Sequence, residues 1–199
     1  MYLESSALTH STYYHTVFSF RGNHNNPESW TKLVLDPNFD PSNEEAQMSL
    51  LEYCDDFFGQ EFASKIRTDY ECPMTRLSAW LADQAASETK ESIYEEHCAE
   101  ASGLLIPQAN FDECAYAWSQ EYLVDSMLAK NEKITIITLP FSSRVRFDSP
   151  QDKLEDEWNL IESWMIQKKG PASAGKAYFT SEDFWWYDTN EQMLDTACK

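Results

Sequence analysis

The chain has 199 residues, of which 34 are acidic and 15 are basic, and its formal net charge at pH 7 is −19. Hydrophobic residues make up 42% of the chain and aromatic residues 14%, which predicts a sizeable core and excludes an intrinsically disordered protein. No stretch approaches the roughly 18 apolar residues that a membrane helix needs. Because a strongly negative protein repels nucleic acids and anionic membranes, we expect neither as a direct partner.

The acidic residues are concentrated in the middle of the chain. Residues 40–132 contain 20 acids and 5 bases, whereas the remainder contains 14 acids and 10 bases. A net negative charge often serves only solubility. Its concentration in one part of the sequence instead predicts an acidic surface at a definite place on the fold.

The cysteines and the N-terminus are typical of a cytoplasmic protein. The five cysteines are an odd number, and none forms the C-x-x-C spacing of a metal or redox motif. Residues 1–10 lack the basic start and the apolar run of a signal peptide. We therefore predict a cytoplasmic location, with reduced and mostly buried thiols on Cys54, Cys72, Cys98, Cys114 and Cys198.

The region before the acidic middle is predicted to contain a strand and one ambiguous segment. Residues 12–20 are β-branched and aromatic and are typical of a strand. Residues 29–35 fit either a short helix or a second strand, and the pattern does not choose between them. The spacing of Ser42 and Glu45 is that of a capping box, which predicts a helix with a buried stripe made of Met48, Leu51, Cys54 and Phe58.

Residues 45–130 are predicted to form four or more amphipathic helices in succession. One of them begins at Cys72-Pro73, since proline is favoured in the first turn of a helix. Another begins at Asn110 and Glu113, which repeat the capping-box spacing.

The stretch from Ser87 to Gly103 carries the strongest clue to function. We predict a helix with Ser87 as its N-cap and Gly103 just after its end, and this helix places five glutamates on one face. Like charges at this spacing repel each other, so selection for stability alone would intersperse lysines. We predict that Ile93 and Leu104 are buried on the opposite side and that the glutamates face solvent: Glu88, Glu91, Glu95, Glu96 and Glu100.

The last third of the chain contains strands as well as helices. Residues 133–139 are predicted to form a strand that ends at Pro140, with residues 143–147 as its hairpin partner or neighbour. Three further segments complete the chain: a helix from Ser149-Pro150, a short strand over 176–180 and a short helix over 189–198.

These elements predict an α+β fold. The predominantly helical acidic middle spans about residues 43–130, and a small antiparallel sheet combines the N-terminal strand with the 133–147 and 176–180 segments. Trp118, Trp158 and Trp164 are assigned to the core or its margin. We treat 1–199 as a single domain, with an alternative subdivision into 40–132 and the combination of 1–39 with 133–199.

No pattern in the sequence identifies a catalytic or cofactor site. Residues 170–176 match G-x-x-x-x-G-K, but a phosphate-binding loop needs a strand before it, a helix after it and Ser or Thr next. His10, His15, His24 and His97 lack the spacing of metal ligands. We therefore expect no catalytic residue, no metal and no cofactor, although an enzyme site assembled from distant residues is an open alternative.

The charge pattern favours a non-catalytic inhibitor that mimics DNA or RNA and occupies the basic, nucleic-acid-binding surface of a nuclease or nucleoprotein effector. In composition, though in no motif, the chain resembles the small acidic inhibitors that phages and plasmids encode against restriction enzymes and CRISPR effectors. Two alternatives are an immunity protein for a nuclease toxin and a small acidic cytosolic enzyme. The partner-binding candidates combine the five glutamates with Asp55, Asp56, Asp152, Glu155, Trp185 and Trp186, the last two from an aromatic run at 184–187 that acids flank.

Overall fold

The computed structural model shows an α+β fold, as the sequence predicts. It describes residues 11–18, 20–21, 34–35, 38–64, 72–101, 104–124, 126–146, 149–168, 170–175 and 177–180. The α-helices in these ranges are α1 (Glu44–Phe58), α2 (Pro73–Ala86), α3 (Phe111–Glu121) and α4 (Gln151–Gln167). The strands are β1 (Ser11–Phe18), β2 (Phe20–Arg21), β3 (Val34–Leu35), β4 (Ala63–Ser64), β5 (Met127–Lys130), β6 (Lys133–Arg146) and β7 (Ala177–Thr180).

One antiparallel sheet joins the beginning and the end of the described chain. Its strand order is β4-β6-β1-β7, and β5 pairs with the first part of β6. The long strand β6 pairs with β1 from Ile137, which lies opposite Phe18, to Arg146, which lies opposite Ser11. The predicted antiparallel sheet from the N-terminal strand and the 133–147 and 176–180 segments is therefore confirmed.

The strand β6 continues through Pro140, so the prediction that a strand ends there, with residues 143–147 as its hairpin partner or neighbour, is wrong. Pro140 lies opposite His15 of β1. On the other side of β6, β5 pairs up to Ile137 and β4 pairs from Ser142. Pro140 thus lies beside a gap between two partner strands, where a missing backbone N–H costs least.

The turn between β5 and β6 consists of Asn131 and Glu132. Their φ angles are 53° and 63°, and Lys130 lies opposite Lys133 in the register of the hairpin. Two positive φ angles in a two-residue loop are typical of a type I′ turn, which matches the twist of the flanking strands. Asparagine tolerates this backbone well, whereas glutamate is strained in it.

The helix α1 is capped by Asn43, one residue after the predicted cap. The Asn43 side chain accepts hydrogen bonds from the backbone N–H groups of Glu45 at 2.9 Å and Ala46 at 3.3 Å. Ser42 instead donates its hydroxyl to Asp40 at 2.6 Å. The buried face is also shifted from the predicted stripe, since Met48 is 47% exposed and the buried residues are Ala46, Gln47, Leu50, Tyr53, Cys54 and Phe57.

The buried side chain of Gln47 fixes the connector that precedes α3. Its amide group donates to the backbone oxygens of Ser42 at 3.0 Å and Ile106 at 2.8 Å, and its oxygen accepts from the Ile106 N–H at 3.0 Å. Both Gln47 and Ile106 are buried, so these bonds replace the hydration that the polar groups lose on folding. One side chain therefore holds residue 106 against α1.

One hydrophobic core draws on the helices and on β5 and β6. Phe57 of α1 contacts Phe141 of β6 with ring centroids 4.5 Å apart, and Trp164 of α4 with centroids 5.4 Å apart. Trp118 is buried, and Trp158 and Trp164 are partly buried against the core. The assignment of these three tryptophans to the core or its margin is therefore confirmed.

Several sequence predictions concern residues outside the described part of the chain. They cover residues 29–33, the aromatic run at 184–187 with Trp185 and Trp186, and the terminal helix over 189–198. Of the ambiguous segment 29–35, Val34 and Leu35 form β3 and pair with β2. Across the described helices, none combines the length and the apolar character that crossing a bilayer requires.

Candidate partner-binding surface

The acidic segment, defined here as residues 87–101, is not the long helix that the sequence predicts. α2 ends at Ala86, and the helical part of the segment runs from Ser92 to Cys98, with Tyr94–Cys98 as a π-helical turn. The Ser87 hydroxyl donates to the Thr89 carbonyl at 2.6 Å and accepts from the Thr89 N–H at 3.2 Å. Because serine hydroxyls compete for backbone groups in this way, the segment begins as a loop.

Exposure in this region follows the prediction for the acids but not for the apolar residues. All five predicted glutamates are exposed. Ile93 is half-buried, and Leu104 is 57% exposed, so the prediction that both are buried is wrong for Leu104. The inward side chains of the π-helical turn are Tyr94 and Cys98, which are both buried.

Glu91 is exposed, but its carboxylate is engaged within the protein. One oxygen accepts hydrogen bonds from the Gln84 amide at 2.9 Å and from the Trp80 indole N–H at 3.4 Å, and the other accepts one from the Tyr122 hydroxyl. The Glu91 backbone N–H donates to the Gln84 side chain at 2.8 Å. Glu91 therefore connects α2 to the end of α3 and has a structural role.

Tyr122 is protonated at neutral pH, because the ordinary pKa of tyrosine is already 10.0 and the pKa of Tyr122 is raised above it. Burial raises the pKa of Tyr122 most, and the hydrogen bond that it donates to Glu91 raises it further, against an opposing contribution from Trp80. A protonated phenol is a hydrogen-bond donor, whereas a phenolate is not. Tyr122 thus remains a donor to Glu91 across the physiological range.

A disulfide and a histidine contact attach the other end of the acidic segment to α3. Cys98 is bonded to Cys114, with Cα atoms 5.0 Å apart. The neighbouring His97 has its Nδ1 atom 2.9 Å from a carboxylate oxygen of Glu113. Glu113 therefore does not form the predicted capping box with Asn110, whose side chain makes no cap hydrogen bond.

The prediction of reduced thiols is wrong for four of the five cysteines. Besides Cys98–Cys114, Cys54 is bonded to Cys72, with Cα atoms 5.9 Å apart, and this bond attaches the start of α2 to α1. All four of these cysteines are buried. Their pairing depends on tertiary packing between elements 18 and 16 residues apart, which short-motif spacing does not reveal. Cys198 lies outside the described residues.

The acidic segment, α2 and α3 together carry many exposed acids and few bases. Residues 72–124 contain nine acids and two bases. Both bases lie over aromatic rings, Arg76 at 5.7 Å from the Trp118 centroid and Lys90 at 5.0 Å from that of Tyr94. Eight of the nine acids are exposed, and we call them the acidic surface: Asp83, Glu88, Glu91, Glu95, Glu96, Glu100, Glu113 and Glu121.

The acids of this surface are not neutralised by cations of the described chain. Two of these acids, Glu96 and Glu113, have carboxylate oxygens 3.9 Å and 2.9 Å from ring nitrogens of His97. No lysine or arginine within the described ranges pairs with a member of the acidic surface. Because exposed like charges that are close together repel each other, the charge of this surface does not by itself stabilise the fold, although Glu91 and Glu113 also make contacts within the protein.

The ninth acid, Asp112, is half-buried at the start of α3 and belongs to the interior. Its carboxylate accepts a hydrogen bond from the backbone N–H of Ile134 at 3.0 Å. Burial raises the pKa of Asp112 above its ordinary value, and the bond to Ile134 and the charge of Lys133 only partly oppose this shift. Asp112 thus joins α3 to β6.

The other predicted acids lie on α1 and near the start of α4. Asp56, at the end of α1, forms an ion pair with Lys168, which follows α4, and Asp55 beside it is exposed. Asp152 and Glu155 are exposed near the start of α4. The rise of α4 from Asp152 to Lys168 is about 24 Å, so Asp56, which pairs with Lys168, and the acids at the start of α4 lie near opposite ends of that helix.

Three members of the acidic surface are not among the candidates that the sequence predicts. Asp83 belongs to α2, and Glu113 and Glu121 belong to α3, whereas the predicted glutamates lie in the stretch between these helices. The signal that identifies them is the scarcity of bases, since residues 72–124 contain Arg76 and Lys90 alone. The scarcity of bases does not reveal which ends of α2 and α3 lie near each other in the folded protein.

A metal site and a nucleotide site each require a specific arrangement of side chains or elements. Among the described residues, no three His, Cys, Asp or Glu side chains converge as metal ligands would. The G-x-x-x-x-G-K match lies between α4 and β7, around a 3₁₀ turn at Ala172–Ala174. No protein-family model matches the chain, and neither does any curated protein sequence.

Proposed function

We propose that this protein is a non-catalytic inhibitor whose acidic surface occupies a basic, nucleic-acid-binding surface of another protein. The observation that carries the proposal is the set of eight exposed acids on α2, the acidic segment and α3, in a region whose two bases lie over aromatic rings. Surfaces that bind nucleic acids present lysines and arginines to phosphates. The acidic surface offers such residues carboxylates in place of phosphates.

The attachments of the acidic segment support a binding role because they fix its acids before a partner arrives. The hydrogen bonds of Glu91 hold one end, and the Cys98–Cys114 disulfide holds the other. A surface that is ordered in advance loses less conformational entropy on binding than a flexible one. The π-helical turn between these attachments is of a rare kind that recurs at functional sites.

The disulfides indicate the kind of compartment in which this protein would meet such a partner. The cytoplasmic location remains a prediction, and the two disulfides weigh against it because disulfides are rare in the reducing cytosol. A basic nuclease in an oxidising compartment fits the disulfide-bonded protein better than an intracellular restriction or CRISPR effector does. Immunity to a nuclease toxin uses the same surface chemistry and is the closest alternative.

The proposal is tested by capturing partners on the immobilised protein in non-reducing buffer and then adding DNA or RNA. The test variant is Glu95→Lys/Glu96→Lys/Glu100→Lys, which leaves the structural residue Glu91 unchanged. The matched control, Asp152→Lys/Glu155→Lys/Asp156→Lys, reverses as many exposed acids on α4. We expect a partner that the test variant fails to capture, that the control variant captures, and that nucleic acid releases.

Two other results would decide against the acidic surface. Equal losses in the test and control variants would show that net charge alone attracts the partner. A partner that holds nucleic acid and this protein at the same time, with an affinity independent of salt, would contradict mimicry, because screening weakens contacts between exposed charges.

A further inference from the structure

Leu123 is an exposed apolar residue next to the acidic surface. Its side chain is 82% exposed, the highest value among the large hydrophobic residues that the structure describes. It directly follows Tyr122, whose ring packs against Trp80 with centroids 6.0 Å apart. Both rings are partly buried. Leu123, Tyr122 and Trp80 define what we call the α3 patch.

The backbone at Leu123 adopts a conformation that normally favours glycine. α3 ends in a Schellman motif, in which the N–H of Val124 donates to the Ser119 oxygen at 2.9 Å and the N–H of Leu123 donates to the Gln120 oxygen at 3.4 Å. The φ angle of Leu123 is 49°, where an L side chain is strained and glycine is not. A leucine at this position gives up stability and also exposes apolar surface, so folding alone does not account for it.

Negative charge lies beside the α3 patch. Glu121 is exposed one residue before Tyr122, and the Glu91 carboxylate accepts a hydrogen bond from the Tyr122 hydroxyl. The last turn of α3 contains no basic residue, so the partial negative charge of the helix end adds to these acids. Apolar and aromatic side chains within a charged rim are the anatomy of an interface hot spot.

We infer that the α3 patch receives a basic, amphipathic segment of the partner protein. An apolar side chain of that segment would contact Leu123, and its lysines or arginines would lie against Glu91 and Glu121. The inference rests on the proposed function and adds the kind of segment that is bound. Charge attracts many basic surfaces, whereas an apolar contact at a fixed place selects among them.

Two synthetic peptides of equal length and equal lysine content test the inference, one with leucine and the other with serine at the same positions. The full chain is expected to bind the leucine peptide about tenfold more tightly, the factor that corresponds to burying part of an aliphatic side chain. Leu123→Gly is expected to abolish this preference while both peptides still bind. It should also raise the melting temperature, because glycine adopts this backbone without strain.

A second variant and a control complete the experiment. Leu123→Asn also suits this backbone and should abolish the preference as Leu123→Gly does. Asn131→Gly replaces another exposed residue with a positive φ, 53°, and should leave the preference intact.

The outcomes separate the inference from the proposed function. Equal affinities of the two peptides for the wild type, or a preference that survives in either Leu123 variant, would overturn the role of the α3 patch and leave the proposed function standing. If neither peptide binds the wild type, the inference about the α3 patch fails, whereas the proposed function fails only if reversing Glu95, Glu96 and Glu100 does not weaken capture of the partner protein.

Discussion

The Tyr122 hydroxyl donates a hydrogen bond to the Glu91 carboxylate across 31 positions of sequence. This contact closes the junction between the acidic segment and the end of α3. The same carboxylate accepts two further bonds from Gln84 and Trp80 of α2. Glu91 therefore contributes both charge and order to the acidic surface, and variants at this junction separate the two contributions.

Removing the Tyr122 hydroxyl is expected to destabilise the junction without changing its charge. Tyr122→Phe loses one hydrogen bond to a carboxylate that water can still reach, so the free energy of unfolding should fall by about 1 kcal/mol. Tyr116→Phe on the same helix is the control, since its hydroxyl makes no hydrogen bond with the described residues. Urea unfolding monitored by circular dichroism measures both, and equal effects would refute the role of the Tyr122–Glu91 bond.

The Cys98–Cys114 disulfide is expected to stabilise the fold by closing a loop. Its cysteines are 16 residues apart, and cross-links of this span contribute about 3 kcal/mol. The variant Cys98→Ala/Cys114→Ala should lose roughly this amount in non-reducing buffer, and it should also bind the partner more weakly because the acidic segment is released at one end.

The matched comparison is Cys54→Ala/Cys72→Ala, which removes the disulfide between α1 and α2. It spans a similar 18 residues and should lose about as much stability, near 3 kcal/mol. Its effect on partner binding should be smaller, because the acidic segment keeps both attachments. Alkylation followed by intact-mass analysis checks the starting point: labelling of all four thiols without a reductant would contradict both disulfides.

The buried side-chain amide of Gln47 is expected to make a large contribution to the free energy of unfolding. Gln47→Leu leaves the buried N–H and carbonyl of Ile106 without their partner, and each such loss costs about 1–3 kcal/mol. The neighbouring Met48→Gln is the control, because Met48 is 47% exposed and surface changes usually stay within about 0.5 kcal/mol. Similar melting temperatures for the two variants would show that Ile106 is held in another way.

The raised pKa of Asp112 predicts a pH-dependent cost to stability. Because burial raises the folded-state pKa above the ordinary value of 3.8, the folded state holds its proton more tightly than the unfolded state does. The contribution of Asp112 to the free energy of unfolding is therefore complete below pH 3.8 and is lost as the pH rises through the raised pKa. Asp112→Asn keeps an oxygen for the Ile134 N–H and has no proton to lose.

The difference in melting temperature between Asp112→Asn and the wild type isolates this group, since the other acids are common to both proteins. As the pH rises from acidic to neutral, the melting temperature of Asp112→Asn should increase relative to that of the wild type. A difference that is independent of pH, or one that reverses in sign, would contradict the pKa shift and its cause in burial.

The sheet and the fold class were accessible from the sequence because periodicity and β-branched composition report directly on strands. The same logic misplaced the boundary at Pro140, since a proline is tolerated where a strand has no neighbour on one side. That gap depends on where β4 and β5 pair with β6, and local sequence does not encode it.

The acidic segment shows the limit of local propensity more clearly. The exposure of its five glutamates was predictable because closely spaced charges are too costly to bury without partners. The long helix was not formed, because Ser87 takes up backbone hydrogen bonds and Glu91 is held by α2 and α3. The strained backbone at Leu123 likewise depends on the end of α3 and leaves no signature in composition.

The most direct test of the central claim is the salt dependence of the association rate constant with a captured partner. If the acidic surface mimics a phosphate backbone, the rate constant should fall steeply as salt rises, because exposed charges are screened beyond about 8 Å at physiological ionic strength. Glu95→Lys/Glu96→Lys/Glu100→Lys should abolish most of that dependence, and Asp152→Lys/Glu155→Lys/Asp156→Lys should retain most of it. A rate constant that is insensitive to salt in the wild type and unchanged in the first variant would contradict the acidic surface as the binding surface.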